Sequence, residues 1–520
     1  MAHPLDLRLG IDVGGTNTDT VILDRDDRLL AKAKVPSSLD VTGGIAHAID
    51  SVLSRPGIVK QRVTHVMLGT THATNAVLER RRLRRVAVLR IGGPATHGVP
   101  ALFDWPEDLR KAVSVGEAIV DGGIEFDGRE LAPFDRDATA RFLASVAGEA
   151  EGVAIVSVFA PVSPRHELEA EELVRRELGP DVHVSLSHRI GSVGLLEREN
   201  STVLNAALVG VAQEVARALR SALAAHQLNP VPFFAQNDGT LMALDYALSH
   251  PVLTIGSGPA NSIRGAAFLT GRRDALVADI GGTSTDVGVL SNGFPRESSQ
   301  GVEIGGVRTN FRMPDLVTIA LGGGTVVRAN GRIQLGPDSV GYRLPDEALV
   351  FGGDTPTLTD AAVACGRARL GVADPTEPHR SMLNDAIARA DAMFADAIDR
   401  VKTSKGDAPL IAVGGGSILL PAQVPGVSEV LRPDHFDVAN AIGAAIASVS
   451  GQVDRIFHQG TGGREAVLKE AIEEAREQAI GAGADPDTVE IVELEEIPLA
   501  YLTNPAVRIR AKAVGSLGRL

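Results

Sequence analysis

The sequence predicts an α/β protein with two core domains, each built around a glycine-turned β-hairpin. Three observations carry this. From residue 60 onward, short apolar runs alternate with helical ones, as in strands paired in parallel across helical crossovers. Ile11-Asp12-Val13-Gly14-Gly15-Thr16-Asn17-Thr18-Asp19-Thr20-Val21-Ile22-Leu23 reads as two apolar strands about a glycine turn, and residues 278–290 repeat it with the same Asp, Gly, Gly, Thr, Thr, Asp and Leu. Finally, 520 residues exceed what one compact core supports.

The hairpin pattern has a chemistry. Glycines let backbone N–H groups approach a ligand closely, and the hydroxyls of Thr16 and Thr18 add donors. Such a turn can cradle phosphates while Asp12 holds a hydrated Mg²⁺ beside them. A single glycine hairpin is equally well a plain chain reversal. The repeat at Asp279-Ile280-Gly281-Gly282-Thr283-Ser284-Thr285-Asp286 separates these readings, because a structural turn needs no matching carboxylates in both halves.

Composition narrows the function classes. The formal net charge of −14 argues against nucleic acid as a partner. Arg80-Arg81-Arg82 with Arg84 and Arg85 is an exception that reads as a solvated helix end. The single cysteine, Cys365, permits neither an intrachain disulfide nor a multi-cysteine metal site, and its apolar surroundings predict a buried small side chain. Aromatic residues make up 3 % against 44 % hydrophobic overall, so the cores must be built from Ala, Val, Leu and Ile. The N-terminus has no charged-then-apolar leader, and no apolar run is long enough for a membrane span, so a cytoplasmic protein with no membrane partner is expected.

In chain order, the first hairpin leads to a strand over 29–35 and a helix opening at Asp40-Val41-Thr42. Val63–Leu68 is a strand running into Gly69-Thr70-Thr71-His72-Ala73-Thr74-Asn75, with a helix expected over 76–82. That strand end makes Thr70, Thr71, His72 and Asn75 substrate-side candidates. A hydroxyl-capped helix start with a chance histidine accounts for the same residues. Strands follow at 85–91, 152–159 and 182–187 and helices at 135–147 and 166–178, while 94–133 reads as loop. Glu197-Arg198-Glu199-Asn200-Ser201-Thr202 opens a long apolar helix to about residue 227. Phe233 starts a strand ending at Gln236-Asn237-Asp238-Gly239. Pro251–Ile255 is expected as a strand before Gly256-Ser257-Gly258-Pro259-Ala260 and a helix. After the second hairpin come a strand over 316–321, a helix 361–370 capped by Thr359-Asp360, a helix 381–401 and a strand over 409–413. Gly414-Gly415-Gly416-Ser417 then lets a flat base or ribose lie against backbone. The Gly-Ala helix 440–447 can approach a neighbouring helix closely. The tail, a charged helix over 464–480 and strands at 489–494 and 507–514, reads as a small appendage.

Taken together, the two Asp-x-Gly-Gly-Thr hairpins, the glycine turn after a buried strand and the late Gly-Ala helix resemble the actin-like ATPase superfamily. More closely, the chain resembles the ATP-binding subunit of the hydantoinase/oxoprolinase family. The residues carrying this are 10–16, Gly-Thr-Thr-His-Ala-Thr-Asn-Ala (69–76), Glu-Arg-Glu-Asn-Ser-Thr-Val-Leu-Asn-Ala (197–206), 236–239, 256–260, 279–287 and 414–417. The resemblance implies two actin-like (ribonuclease H-like) ATPase domains facing each other across a nucleotide cleft, with the small C-terminal α/β appendage. The expected division is 1–190, a connecting region 191–270, 271–450 and 451–520.

It also implies ATP and Mg²⁺ as cofactors and ATP-dependent opening of a cyclic amide: a hydantoin, 5-oxoproline or a related lactam. This chain would phosphorylate the amide oxygen, and a second subunit would complete hydrolysis in an oligomer. Carried over residue by residue, Asp12 and Asp279 orient the metal and its waters. Gly14, Gly15 and Thr16 face Gly281, Gly282 and Thr283 around the triphosphate, and Gly414, Gly415 and Gly416 support the nucleoside. Thr70, Thr71 and His72 lie on the substrate side, together with Glu197 and Arg198. Asp19, Asp286 and Asp238 are the candidates for a general base. Two departures from the family pattern, Gln-Asn-Asp-Gly-Thr at 236–240 and Gly-Pro-Ala-Asn-Ser at 258–262, bear on the substrate side. Competing readings are an activating subunit of an acetone-carboxylase-like complex, a non-catalytic actin-like nucleotide-binding protein, and a sugar kinase.

Overall fold

A computed structural model describes residues 6–37, 41–191, 193–298, 301–329, 331–372, 379–458, 463–499 and 506–518. Asp40, the expected helix opening, lies outside them; the helix itself runs Val41–Leu53. The strands that matter most for the site are β1 (Leu7–Val13), β2 (Asn17–Leu23), β3 (Leu29–Pro36), β4 (Val63–Thr70), β5 (Val86–Gly93), β6 (Ser114–Asp121), β7 (Gly152–Ser157), β8 (His183–Leu186), β9 (Val231–Ala235), β10 (Leu241–Ala243), β11 (Ala275–Ile280) and β12 (Thr285–Ser291).

Three sheets organise the chain. In the first, β1 pairs antiparallel with β2 and parallel with β4, and β4 pairs parallel with β9. In the second, β11 pairs antiparallel with β12 and parallel with the strand Ala408–Val413. Each hairpin thus sits beside a parallel strand whose end supplies a glycine turn. β1 and β4 end in near-continuous buried runs, because both faces of the sheet are covered and residues of both parities are packed. A third sheet, ordered β6-β5-β7-β8, is inserted between β4 and β9 in sequence.

The tail does not stand apart. Val449–His458 pairs with β10, and Ala506–Gly515 and Glu490–Leu499 follow it outward, so residues of the expected appendage complete a nine-stranded first sheet. A buried ion pair pins this extension: Lys512 Nζ lies 2.9 Å from Asp238 Oδ2 and 3.0 Å from Glu297 Oε1.

Between the two hairpin sheets cross the helices Ser257–Thr270 and Ala439–Ile446, which the Gly-Ala composition anticipated. A Cβ on Gly265 would stand 1.8 Å from Ala439 O, and one on Gly443 would stand 1.9 Å from Asn261 O. Only hydrogen atoms fit in that contact.

Several local expectations are corrected. Residues 94–133 contain a helix, Glu107–Val113, and the edge strand β6, whose partial exposure and Gly116-Glu117 weaken the strand pattern. Pro251–Thr254 is a 3-10 turn, because proline at its first position fixes a helical φ. The helix after β4 spans His72–Glu79, starting earlier than expected. The helix expected over 361–370 runs Leu358–Ala364, capped by Thr357 in a reciprocal box with Asp360. It stops where Gly366 adopts φ +79°, with Arg367 N–H bonding Ala362 O. Cys365 therefore sits past the helix end and is exposed, not buried. No described helix is long and apolar enough to cross a membrane.

Candidate functional site

The hairpin tips meet. A Cβ on Gly282 would lie 3.1 Å from Thr16 Cγ2, so the first Gly-Gly-Thr turn faces the second directly. Each tip closes the same way: Gly14 N–H bonds Asn17 O at 3.0 Å, and Gly281 N–H bonds Ser284 O at 2.9 Å. The space over Gly15 is open. On the second tip, Gly323 and Gly324 donate to the carbonyls of Gly281 and Gly282. That turn, which the sequence reading did not assign, buttresses the hairpin from behind.

The carboxylates lie just below the tips. Asp12 pairs with Asp19 across β1–β2, and Asp279 with Asp286 across β11–β12, so each pair shares a face of its sheet. Asp12 is 4 % exposed. Its Oδ2 accepts from Asn440 Nδ2 at 2.8 Å and its Oδ1 from Asn261 Nδ2 at 3.5 Å. Burial, then the neighbouring Asp19, push its pKa up to about 7 against the opposing amide bonds. Asp279 Oδ2 accepts from Ser262 Oγ at 2.5 Å, and burial raises its pKa too. Burial raises Asp286 to about 6, while Thr318 Oγ1 donates to it. Asp19 is also raised by burial, opposed by Lys34 at 2.5 Å.

Glycines roof both aspartates. A Cβ on Gly69, at the end of β4, would fall 2.2 Å from Asp12 Oδ1. One on Gly414, after the strand Ala408–Val413, would fall 2.4 Å from Asp279 Oδ1. Gly416 N–H bonds Ile280 O at 2.7 Å, seating the glycine turn against the second hairpin, and the space over Gly415 is open. Gly414, expected only to support the nucleoside, also makes room for a carboxylate.

One helix binds both halves together. Consecutive residues Asn261 and Ser262 touch Asp12 and Asp279 respectively. The Gly-Pro-Ala-Asn-Ser departure, expected to bear on the substrate side, thus contacts the carboxylates of both hairpins. Asn261 Oδ1 and Ser417 Oγ are buried without a hydrogen-bond partner, leaving unspent polar atoms beside the clamp.

Thr70, Thr71 and His72 gather at the carboxyl end of β4. Thr71 is the N-cap of the following helix without a side-chain cap bond; its hydroxyl donates to Val13 O at 3.3 Å instead. Thr71 thus does not cap the helix, but the Thr70 hydroxyl accepts from the first helical N–H, that of His72, so a hydroxyl-capped helix start still describes this turn. Thr70 Oγ1 lies 2.6 Å from His72 Nδ1 and accepts from His72 N–H at 3.2 Å, and burial lowers the His72 pKa. The residues after Glu197 have a different role. Arg198 donates to Ser157 O at 2.6 Å and Ser187 Oγ at 2.9 Å, and Glu199 forms a bidentate pair with Arg90 at 2.6 and 2.7 Å, both side chains buried. They tie the third sheet to the long helix Leu195–Ala225. Asp238, a base candidate, is committed to Lys512, Gln452 and Thr240.

Two lobes, each a hairpin sheet with a glycine turn, closing on facing tips define the actin-like ATPase class of fold. The caprolactamase crystal structure from Pseudomonas jessenii superposes with a TM-score of 0.75 over 98 % of this chain and 88 % of its own, at 22 % identity. The hydantoinase/oxoprolinase N-terminal region matches residues 8–178 and the hydantoinase/oxoprolinase domain residues 198–371, so the chain belongs to the hydantoinase/oxoprolinase family. The caprolactamase α subunit of P. jessenii is 29 % identical over 392 residues, 69 % of this chain and 54 % of its own length. The acetophenone carboxylase γ subunit of Aromatoleum aromaticum is 25 % identical over 390 residues, 69 % and 53 %. The chain spans about half the length of these curated relatives.

Proposed function

We propose that the chain binds ATP between its hairpins and phosphorylates the carbonyl oxygen of a cyclic amide, with a second subunit completing ring opening. The observation that supports this most is the contact of Thr16 with Gly282 above two glycine-roofed aspartates. Backbone N–H groups on opposed tips grip a triphosphate from both sides, and Asp12 and Asp279 face the space below it. Four carboxylates, Asp12, Asp19, Asp279 and Asp286, repel one another there, and Lys34 offsets only part of that charge. The site is suited to Mg²⁺. Among the described residues no three His, Cys, Asp or Glu side chains cluster tightly enough to cage a metal, and Mg²⁺ commonly takes one or two carboxylates plus waters and phosphates. Bound there, the ion supplies charge neutralisation during phosphoryl transfer.

An amide carbonyl is a poor electrophile because its nitrogen donates into it. When the carbonyl oxygen attacks the γ-phosphorus, an O–P bond forms and ADP leaves; the nitrogen lone pair becomes a ring C=N bond, the charge on nitrogen is relieved by loss of its proton, and the ring carbon, now bearing a phosphate leaving group, is open to water. Gly414–Gly416 support the nucleoside, and Thr70, Thr71 and His72, at the end of β4 between β1 and β9, stand on the acceptor side of the triphosphate. The similarity to a carboxylase subunit favours a second reading, in which the acceptor oxygen belongs to a ketone or its enol.

The test is phosphate release from ATP by the full chain, purified with the product of any adjacent gene. Hydantoins, 5-oxoproline, simple lactams, ketones and sugars are compared. Stimulation by a cyclic amide is the expected result. Stimulation by a sugar alone overturns the reading.

A further inference from the structure

Beside the clamp, the carboxyl edge of the first sheet opens into a 510 Å³ cavity that no step above uses. Its walls include Asn237 after β9, Tyr246 and His250 before the 3-10 turn, and Gln452 and Val453 on the strand that extends the sheet. Its position follows from strand register. Asp12 is level with Gly69, and Leu68 with Phe234. Asn237 is therefore two strands away from Asp12 along the same edge, roughly 10 Å at ordinary strand spacing. Ligands of α/β sheets bind at such carboxyl edges.

The polar groups of this cavity say what it can hold. Most of its cations are spent on ion pairs: Lys512 with Asp238 and Glu297, Arg510 with Asp454 and Glu495, Arg312 with Glu297 and Glu493, Arg455 with Glu470 and Glu474, while Arg189 has no ion-pair partner among the described residues. Asn237 and His250 themselves are uncharged, and their free hydrogen-bonding capacity suits a neutral group of a ligand. Asn237 is 4 % exposed, and its Nδ2 has no hydrogen-bond partner. Its backbone N–H bonds Leu253 O, and Leu253 N–H bonds His250 O, which fixes the two residues relative to each other. His250 stacks on Tyr246 with ring centroids 4.1 Å apart, and its Nδ1 lies 3.1 Å from Tyr246 O. A carbonyl only accepts, so Nδ1 carries the proton and Nε2 the lone pair. Burial keeps the ring neutral, with its pKa lowered to about 4.

A buried donor and a neutral acceptor held by one backbone bridge match the edge of a cis amide. A small ring forces its amide cis, so C=O and N–H point to the same side. We propose that this cavity holds the cyclic amide, Asn237 Nδ2 donating to its carbonyl oxygen and His250 Nε2 accepting from its ring N–H. The carbonyl oxygen keeps a second lone pair for the γ-phosphorus. This inference rests on the amide-phosphorylation reading above.

The test uses the full chain with its adjacent subunit and the most effective of ε-caprolactam, 5-oxoproline and hydantoin, each against its N-methylated analogue. Wild type should show about a tenfold higher KM for the analogue, the scale of one lost hydrogen bond that leaves a buried partner unpaired. His250→Phe preserves the stacking and should raise the parent amide's KM about tenfold while abolishing discrimination against the methyl group. Asn237→Leu should raise KM for both compounds. Gln452→Trp, which fills the cavity from the strand that extends the sheet, carries the test if either variant fails to fold, and should also raise both. Wild-type KM values in the folded variants overturn the inference and leave the proposed function standing. No stimulation of wild type by any cyclic amide overturns both.

Discussion

The two hairpins share a turn and a pair of aspartates, yet they hold their carboxylates differently. Asp12 is gripped by two side-chain amides, Asn261 and Asn440, and its cross-strand neighbour Asp19 is answered by Lys34. Asp279 and its neighbour Asp286 are held by hydroxyls, Ser262 and Thr318, and no cation touches Asp286 among the described ion pairs. A hydroxyl can turn its proton away and accept from a ligated water instead, whereas an amide N–H₂ can only donate. The first half is thus built as a fixed socket and the second as an adaptable one. The two halves share the backbone and the carboxylates and differ in what surrounds them.

Removing either carboxylate should have the largest effect. Asp12→Asn and Asp279→Asn are each expected to lower ATP hydrolysis on the order of 10²- to 10³-fold, with circular dichroism unchanged. A variant that keeps wild-type turnover would break the symmetry of the clamp.

The roofing glycines come next. Gly69→Ala and Gly414→Ala each drive a methyl into a carboxylate oxygen, and both should cost activity. Gly414 also has φ +83°, so its replacement carries an added backbone strain of about 1–2 kcal/mol. Thermal unfolding should therefore rank Gly414→Ala as the less stable variant; the reverse order would show that the Asp12 socket is the more rigidly packed.

A pH effect sharpens the comparison further. Asp12 rises from an ordinary value of 3.8 to about 7 in the native chain. Between those values the native state keeps a proton that the unfolded chain has released. Its contribution to stability is complete below about pH 4 and is lost as pH rises through about 7. Nucleotide-free wild type should melt at a lower temperature at pH 8 than at pH 6, and Asp12→Asn should flatten that slope. Asp286→Asn should flatten the part between about pH 4 and 6.

The smallest effects belong to the donors. Asn440→Ala removes a bond that favours the Asp12 carboxylate and should move its titration upward, read as a shift of the stability slope to higher pH. Ser262→Ala should do the same for Asp279 and leave the Asp12 slope in place.

The parts of this arrangement legible in the sequence are those carried by local pattern. Asp12, Asp279 and the glycine turns announce themselves because their motif occurs twice, and the strands around them because both residue parities are apolar. Asn261, Ser262 and Asn440 were not legible as clamp residues. Their partners are distant in sequence, and helix residues reveal a polar contact across a domain gap only once the helix crossing is known. The same reason hid the role of the tail: a strand at 507–514 does not state which sheet it joins. The stretch 197–202 shows the converse: a run of polar residues opening an apolar helix suggests a ligand site, while two of its residues, Arg198 and Glu199, are engaged by Ser157, Ser187 and Arg90.

The most direct test of the clamp is calorimetric titration of the full chain with a non-hydrolysable ATP analogue, with and without Mg²⁺, in wild type, Asp12→Asn and Asp279→Asn. The account predicts tight binding only with Mg²⁺ in wild type, and loss of that Mg²⁺ dependence in both variants. Mg²⁺-dependent affinity equal to wild type in either variant would contradict a site closed by both hairpins.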